Sequence, residues 1–342
     1  MAAASGETQD SQSAGFARIS AGELATAKKE RQETTPQRTV DSGQRAFCCD
    51  WDYSSLQNGG TAMIKHILVH IPTERTPRPV LDAAISLGTT FGAHVDALAI
   101  GYIPTSMTYA VDGGAATAVA AVFEAERQRA AERSAAALAA FETEARTAGI
   151  SYQCRSIEDL PAEAASAIGD AARLYDLTVV SQPDTALRSF DNMTATEVLL
   201  QAGGPVLFVP HIFRGTFNPK RIGICWDGSR LAARALRDAR QFLSQADVVV
   251  TISINEAQLV PAEASAQKLV QHMGRAGLKT TLIEFTAEHS GIQPFILSLA
   301  ADENLDMLVM GAYGHSRLRE GILGGVTREM LKTMTVPTLM SH

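Results

Sequence analysis

One glycine-rich stretch near the end of the chain has residue types and spacing that could bind an anion. It is LVMGAYGHSRLREGILGGVTREML, residues 308–331. It matches neither the G-x-x-x-x-G-K-[ST] loop of P-loop proteins nor the G-x-G-x-x-G loop of dinucleotide-binding folds. The apolar run before it predicts a strand that ends at Gly311, and GGVTREML predicts a helix. Because the backbone N–H groups of Gly324, Gly325 and Val326 would lie at the positive end of the helix dipole, an anion is the expected ligand.

The residues between these glycines fit the same chemistry. Gly311 and Gly314 lack Cβ atoms, so they allow positive φ angles and a close approach of the backbone to a ligand. His315, Arg317 and Arg319 add positive charge. Each feature alone has an ordinary explanation, since a glycine pair is usually a turn and a His-Ser-Arg-x-Arg segment is usually a solvated loop. Only their convergence at one place predicts a site.

An acidic residue after another predicted strand should face this loop. Asp227 follows the apolar run KRIGICW, residues 220–226. In a doubly wound sheet of strand order 3-2-1-4-5, strands one and four flank the crevice where ligands bind. Strand one of this half ends at Asp227 and strand four ends at Gly311, so the two residues should meet. The ordinary alternative for Asp227 is a turn or helix N-cap residue.

The elements that position these residues occur twice along the chain. From Met63 onward, short apolar runs alternate with amphipathic segments, which predicts β-α-β units and a parallel sheet. Four pairs of runs correspond in unbroken order: 65–71 with 220–227, 93–102 with 246–255, 176–182 with 306–312, and 197–211 with 329–342. We therefore predict an α/β fold with two tandem, doubly wound, five-stranded parallel-sheet domains of Rossmann-like type and strand order 3-2-1-4-5.

The predicted boundaries follow from this repeat. The first domain spans residues 63–212, a Gly- and Pro-containing connector spans 213–219, and the second domain spans 220–342. Residues 1–62 are rich in Ser, Thr, Gln, Gly and Ala, which predicts a disordered tail. We also expect translation to start at Met63, because the codons of Asn58-Gly59-Gly60 can contain a ribosome-binding GGAGG. An intact mass that begins at Met1 would contradict this expectation.

The first half contains one long additional helix. Residues 115–148 are rich in Ala, Glu and Arg, and Gly149 is a natural stop. The corresponding helix of the second half, about residues 262–274, is far shorter. A partner-binding arm is one interpretation, and a cover for one face of the sheet is the one we favour.

Composition limits the function classes. Hydrophobic residues make up 46% of the chain, charged residues 20%, and the net charge is -7, which argues against nucleic-acid binding. Four cysteines (Cys48, Cys49, Cys154 and Cys225) form neither a C-x-x-C pair nor a disulfide framework, so we expect a reducing cytoplasm and no metal site. No apolar run reaches the length of a membrane helix, so no membrane association is expected.

At these residues the sequence resembles the universal stress protein family (UspA-like), and its repeat resembles the tandem two-domain type. Nucleotide-binding members carry G-x2-G-x9-G-[ST] after strand four and an Asp after strand one. Gly311, Gly314 and Gly324 match that spacing, and Asp227 matches the acid. The resemblance implies an ATP or other adenine-nucleotide site, with Mg²⁺ if the ligand is a triphosphate. It implies these binding residues: Asp227, Ser253, Met310, Gly311, Gly314, His315, Gly324, Gly325, Val326 and Thr327.

Two departures from the family pattern limit this expectation. Gly325 stands where ATP-binding members have Ser or Thr, so one hydroxyl donor to a phosphate is missing, although Thr327 could replace it in part. The first half departs further. His70-Ile71-Pro72 stands at the place of the Asp, Ser181 replaces Gly311, and Asn192-Met193 replaces Gly324-Gly325. Its loop places Asp184 and Asp191 against only Arg188, so we predict that the first half has lost its site.

The expected function is that of a cytoplasmic universal stress protein that binds an adenine nucleotide in its second domain and acts in the stress response as a regulatory or stabilising protein. We expect no dedicated enzyme activity, since no nucleophile with a placed base and no Walker-type lysine is recognisable. The alternatives are an interaction module with two vestigial sites and a weak ATP hydrolase. The halves should pair through their fifth strands, residues 206–209 and 336–340, as an intramolecular pseudo-dimer. A further homodimer would need another surface.

Overall fold

The computed structural model describes residues 63–103, 116–184, 186–255, 260–312 and 325–342. The chain divides into two units, Met1–Ser55 and Leu56–His342, and all described residues belong to the second. The predicted tail, residues 1–62, lies outside the described residues, as do Gly314, His315 and Gly324 of the predicted site.

The first half alternates five strands with four helices. They are β1 (His66–Ile71), α1 (Arg78–Phe91), β2 (His94–Tyr102), α2 (Ala116–Ala148), β3 (Tyr152–Asp159), α3 (Pro161–Ala172), β4 (Leu177–Ser181), α4 (Asp191–Gln201) and β5 (Val206–Val209). Left-handed glycines follow two of the helices, Gly92 after α1 at φ 58° and Gly149 after α2 at φ 67°. Glycine is favoured there because it has no Cβ to clash in this conformation.

The second half repeats the alternation. Its elements are β6 (Arg221–Trp226), α5 (Arg230–Asp238), α6 (Arg240–Leu243), β7 (Val248–Ile254), a 3₁₀ turn (Ala262–Ala264), α7 (Ala266–Arg275), β8 (Thr280–Phe285), α8 (His289–Asp302), β9 (Met307–Gly311), α9 (Gly325–Thr333) and β10 (Thr338–Ser341). Ser229 begins α5 as its N-cap, since its hydroxyl accepts a hydrogen bond from the backbone N–H of Ala232 at 3.1 Å.

The ten strands form one sheet in the order β3-β2-β1-β4-β5-β10-β9-β6-β7-β8. Read outward from its centre, each half has the strand order 5-4-1-2-3, so the predicted doubly wound fold class is confirmed. Pairing within each half is parallel. The inner strands are buried on both faces, which explains why they are continuous apolar runs rather than alternating ones.

The two halves meet through their fifth strands, as the sequence predicted. β5 and β10 pair antiparallel, with Leu207 opposite Leu339 and Val206 opposite Met340. Leu207 and Leu339 have no solvent exposure. Each of the two hydrophobic layers that cover the sheet contains residues from both halves. The chain therefore has one continuous sheet, and neither fifth strand is an open edge.

Aromatic side chains add a second contact between the halves. The ring of Phe91 at the end of α1 packs edge-on against Phe242 of α6, with centroids 5.3 Å apart. Phe217 of the connector packs against Phe242 at 6.2 Å and against Phe213 at 5.9 Å. The backbone N–H of Phe217 also donates to Ser86 Oγ of α1 at 2.9 Å. The predicted linker, residues 213–219, thus packs against both halves through Phe217.

The long helix α2 covers one face of the first half. Its buried residues are spaced three or four apart along one side of the helix: Ala130, Ser134, Ala137, Phe141 and Ala145. This side packs on β2 and β3, which agrees with the covering role favoured for it. Among the residues that the structure describes, no helix has the length and apolar character needed to cross a membrane.

The pairing of β5 with β10 gives a prediction about stability. Leu339→Asp places a carboxylate opposite Leu207 in a fully buried position, so it should lower the free energy of unfolding by more than about 3 kcal/mol. Leu174→Asp is the control, because Leu174 is 76% exposed and should change stability by less than about 0.5 kcal/mol. Urea unfolding followed by circular dichroism measures both. An equal effect of the two substitutions would contradict the pairing.

Candidate functional site

Four of the predicted binding residues, Asp227, Ser253, Met310 and Gly311, lie at one edge of the sheet. β9, β6 and β7 are neighbours, and their carboxyl ends are aligned, with Cys225 opposite Met310 and Trp226 opposite Ser253. Asp227 follows Trp226, and Gly311 follows Met310. Residues that are about 80 positions apart in sequence thus border one crevice, at the switch point of a doubly wound sheet.

Asp227 has an ordinary structural role as well as its place at the crevice. It is exposed, and its Oδ1 accepts a hydrogen bond from the backbone N–H of Ser229 at 2.9 Å, which forms an Asx turn into α5. Gly228 between them has φ 68°, and a Cβ there would lie 2.8 Å from Val260. The turn holds the carboxylate of Asp227 at the mouth of the crevice. Sequence analysis did not assign a role to Gly228, although a glycine between Asp and Ser is a turn signal.

Gly311 is required for a reason other than the predicted one. Its backbone is outside the left-handed region, so the positive φ that glycine allows is not used here. A Cβ on Gly311 would lie 2.6 Å from the backbone nitrogen of Ala232 and 2.7 Å from the carbonyl carbon of Leu231. The first turn of α5 therefore packs directly against the end of β9, and only glycine allows this approach. That contact fixes the position of α5 beside the crevice.

Helix α9 begins at the same edge. Gly325 is its exposed first residue, Val326 is half-buried, and Thr327 is buried. The helix has nine residues, and its first backbone N–H groups have no partner within the helix. The predicted residues Gly314, His315 and Gly324 precede it and lie outside the described residues. An N-terminal end of this kind stabilises negative charge.

The β7 side of the crevice has a defined wall. Asn255 follows β7 with φ 59°, and its side chain pairs with the backbone of Ala287, donating to the carbonyl at 2.8 Å and accepting from the N–H at 3.0 Å. On the β6 side, the indole N–H of Trp226 donates to the carbonyl of Ala264 at 2.7 Å. Sequence analysis missed Asn255, although asparagine after a strand is one of the few residues that tolerate positive φ.

The corresponding crevice of the first half is filled by side chains. Arg75 Nη1 donates to the carbonyl of Gln182 at 2.8 Å. Asp191, which was expected in an open loop, is instead the buried first residue of α4. Its carboxylate accepts from the hydroxyl of Tyr102 at 2.9 Å and from the backbone N–H of Glu74 at 3.1 Å. These residues lie at the place where the second half has glycines, and no sequence motif marked Arg75 or Tyr102.

Asn192 closes the loop of this first-half crevice. Its side-chain oxygen accepts from the backbone N–H of Asp184 at 2.7 Å, and its amide donates to the carbonyls of Asp184 at 2.7 Å and Leu187 at 3.0 Å. The loop is therefore held by hydrogen bonds within the protein. Ser181 ends β4 in a buried position, and Met193 is exposed. The first half therefore has side chains, and not glycine backbone, at the positions that correspond to the glycines of the second half.

Burial shifts the ionisation of the groups in this network. Desolvation lowers the pKa of His70 to about 4, against the opposing effect of the Asp191 carboxylate at 3.7 Å, and Arg75 lowers it further. Desolvation also raises the pKa of the Tyr102 hydroxyl and lowers that of the Arg75 guanidinium. His70 is thus neutral at pH 7. In the second half, burial raises the pKa of the Cys225 thiol to about 12, so it stays protonated.

Comparisons with known proteins agree with this architecture. Residues 218–342 match the family model of the universal stress protein family. Universal stress protein Slr1230 of Synechocystis sp. is 25% identical over 144 residues, which are 40% of this chain and 46% of that protein. The chain therefore spans about half the length of the curated relative that it matches.

Two crystal structures have the same fold over both halves. A universal stress protein from Archaeoglobus fulgidus is 16% identical, covers 80% of this chain and 95% of its own, and has a TM-score of 0.60. A functionally unknown protein from Pseudomonas aeruginosa is 15% identical, covers 81% of this chain and 92% of its own, and has a TM-score of 0.53. Residues 218–342 are therefore similar to the universal stress protein family, and both halves share the fold of these structures.

The close packing of Gly311 gives a second prediction. Gly311→Ala should lower the free energy of unfolding by about 1–3 kcal/mol, because the added Cβ overlaps the backbone of α5. Gly274→Ala is the matched control, since a Cβ there has nothing within 4 Å and lies in the exposed part of α7. It should raise the free energy by up to about 1 kcal/mol. Urea unfolding distinguishes them, and equal stability of Gly311→Ala and wild type would contradict this packing.

The neutral His70 gives a prediction about pH. Above about pH 6.5 His70 is uncharged in both the folded and the unfolded protein. As the pH falls toward 4, the unfolded protein binds a proton at this histidine before the folded protein does, and this favours unfolding. This one group should therefore lower the free energy of unfolding by up to about 3 kcal/mol between these pH values. His70→Gln removes the titration, so its stability should fall less steeply than that of wild type. Parallel curves from urea unfolding at several pH values would contradict the shift.

Proposed function

We propose that this protein is a cytoplasmic, nucleotide-binding universal stress protein whose second half binds one adenine nucleotide, with ATP as the expected ligand. It acts in the stress response through its bound or free conformation, as a regulatory or stabilising protein without a dedicated catalytic step. We also propose domain boundaries at residues 63–212, 213–219 and 220–342, which follow the repeat of β1–β5 by β6–β10.

One observation carries this proposal: the carboxyl ends of β6, β7 and β9 are aligned at one edge of the sheet, and α9 is the next described element after β9. Asp227 lies on one side, the backbone after Gly311 on another, and the N-terminus of α9 supplies N–H groups for phosphate. The glycine spacing from Gly311 through Gly314 to Gly324 leads from the strand into this helix. A carboxylate at one end and helix N–H groups at the other suit a ligand with a sugar hydroxyl and a phosphate chain.

Magnesium would be bound together with a triphosphate and not by a protein site of its own. Within the described ranges, no group of three His, Cys, Asp or Glu side chains could hold a metal ion. Thr327 in the first turn of α9 has a hydroxyl two residues after Gly325, where family members that bind ATP carry one. When Mg²⁺ is bound with the nucleotide, it neutralises part of the phosphate charge.

The first half does not take part in this binding. Arg75, Tyr102, Asp191 and Asn192 occupy its crevice through hydrogen bonds to one another and to the backbone. This filled crevice and Gly325 favour a second candidate function, an interaction module that binds no nucleotide. With either function, a homodimer would have to form through a surface other than the fifth strands, because β5 and β10 already pair with each other.

Isothermal titration calorimetry with ATP and Mg²⁺ tests the proposal. We expect one site per chain, and we expect Gly314→Leu to abolish it because the side chain would enter the path of the phosphates. Two sites per chain would contradict the assignment to the second half, as would a site that survives Gly314→Leu. No binding, together with no nucleotide in the natively purified protein, would favour the interaction module.

Gly325→Ser is the companion variant with the opposite expectation. It restores a hydroxyl donor at the N-terminus of α9, so ATP should bind a few-fold to roughly tenfold more tightly. The same calorimetry measures the change. An unchanged dissociation constant would mean that the hydroxyl of Thr327 already makes this contact.

A further inference from the structure

A cavity of about 370 Å³ opens in the first half near the amino ends of β1, β2 and β3, at the opposite edge of the sheet from the crevices. Its floor is apolar and consists of Leu68 and Leu98, which are buried. Its outer wall is the end of α3 and the turn that follows, with Ala171 and Leu174. Cavities of this volume with an apolar floor and a few polar groups are typical of small-molecule sites.

A carboxylate and a phenol line the same cavity. The hydroxyl of Tyr175 donates to Asp96 Oδ2 at 2.6 Å, and burial together with this carboxylate raises the pKa of the hydroxyl. Asp96 Oδ1 lies 3.4 Å from His94 Nε2. A carboxylate has about four sites that accept hydrogen bonds, so Asp96 can still accept from a ligand.

A guanidinium lines the cavity beside this carboxylate. Asp96 pairs with Gln153 and Leu98 pairs with Arg155, so Asp96 and Arg155 share one face as diagonal neighbours. Their Cα atoms are roughly 8 Å apart by strand geometry. In the part of the chain that the structure describes, the exposed guanidinium of Arg155 has no hydrogen bond or ion pair. The cavity therefore offers one negative and one positive group to a ligand.

The second half fills the equivalent place with an apolar side chain. Asp176 and Asp306 mark equivalent positions, because each carboxylate accepts from two backbone N–H groups at the start of the first strand of its half. The preceding residue is Tyr175 in the first half and Leu305 in the second. Leu305 is buried over Gly223, where an added Cβ would lie 2.6 Å from Leu305 Cδ1.

Strand pairing gives two further equivalences. Val250 stands at the position of Asp96, and Ile283 stands at the position of Arg155. Val250 has no solvent exposure, and Ile283 packs against the same hydrophobic layer. The same fold thus forms with apolar residues at these places. The fold does not explain the polar groups of the first half, and placing polar groups in a half-buried cavity costs free energy.

We propose that this cavity binds a small zwitterion with an apolar side chain, an apolar amino acid. Its carboxylate binds Arg155, its ammonium group binds Asp96, and its side chain lies between Leu98 and Leu174. Hydrogen bonds between charged groups are the strong ones, and Leu174, which is 76% exposed, would lose contact with water. The site lies in the other half from the proposed nucleotide crevice and does not rest on that function.

Calorimetry with L-leucine and L-phenylalanine tests the site. Each amino acid is compared with an analogue that lacks the amine (isocaproate or hydrocinnamate) and with one that lacks the carboxylate (isoamylamine or phenethylamine). We expect an amino acid to bind and each of its analogues to bind at least about tenfold more weakly, because one charged contact is lost.

Two variants locate the binding in this cavity. Arg155→Met should weaken amino-acid binding about tenfold or more. Arg188→Met is the matched control, since Arg188 is an exposed arginine of the same half that does not line the cavity, and it should bind like wild type. Ala171→Leu places a larger side chain in the cavity and should abolish binding. Far-UV circular dichroism verifies that each variant is folded.

Several results would overturn the proposal. They are no binding of either amino acid to wild type, an analogue that binds as tightly as its parent amino acid, and equal affinities of Arg155→Met and Arg188→Met. Binding that survives in folded Ala171→Leu would also overturn it. ATP binding by the second half is measured separately, so failure of this site leaves the proposed function unchanged.

Discussion

The antiparallel pairing of β5 with β10 is the interaction on which the arrangement of the rest of the protein depends. It joins two five-stranded sheets into one sheet of ten strands, with Leu207 opposite Leu339 at the centre. Both hydrophobic layers cross this junction, and the Phe91, Phe217 and Phe242 rings close it on one face. Because a short apolar edge strand is unfavourable in water, each half covers the edge of the other. The two crevices are consequently held in one body, and in each half the fourth strand alone separates the crevice from the fifth strand at the junction.

The two crevices have the same position in the fold but are lined differently, by glycines in the second half and by hydrogen-bonded polar side chains in the first half. Both lie at the carboxyl ends of strands one and four of their halves, where a doubly wound sheet leaves a gap. In the second half, glycine at the end of β9 lets α5 pack against the strand, and α9 starts with an exposed glycine. In the first half, Arg75 and Asp191 fill the gap with charged groups that hydrogen-bond within the protein. Buried charges need partners, so this network stabilises a closed crevice, and burial inside it lowers the pKa of His70 and leaves that residue uncharged.

The resemblance to the universal stress protein family and the binding chemistry rest on different observations in this protein. The family model matches residues 218–342, and the similar solved structures extend the fold to both halves. A shared fold does not decide what a crevice binds, so the nucleotide proposal depends on the residues at the strand ends. The Asx turn of Asp227, the start of α9 and the unpaired hydroxyl of Ser253 are such residues. They place polar groups at the carboxyl edge of the second half.

The sequence alone determined the repeat and the strand order, because these depend on local patterns. Apolar runs and amphipathic segments specify strands and helices, and parallel strands joined by helices restrict the topology to few choices. Tertiary structure alone decided why Gly311 is glycine, since the atoms that exclude a Cβ belong to Leu231 and Ala232. It also decided that Arg75 lies against Gln182, and that Thr251 and Ser253 lack partners. Such contacts join segments far apart in sequence, so they depend on how helices pack on the sheet, which no local pattern records.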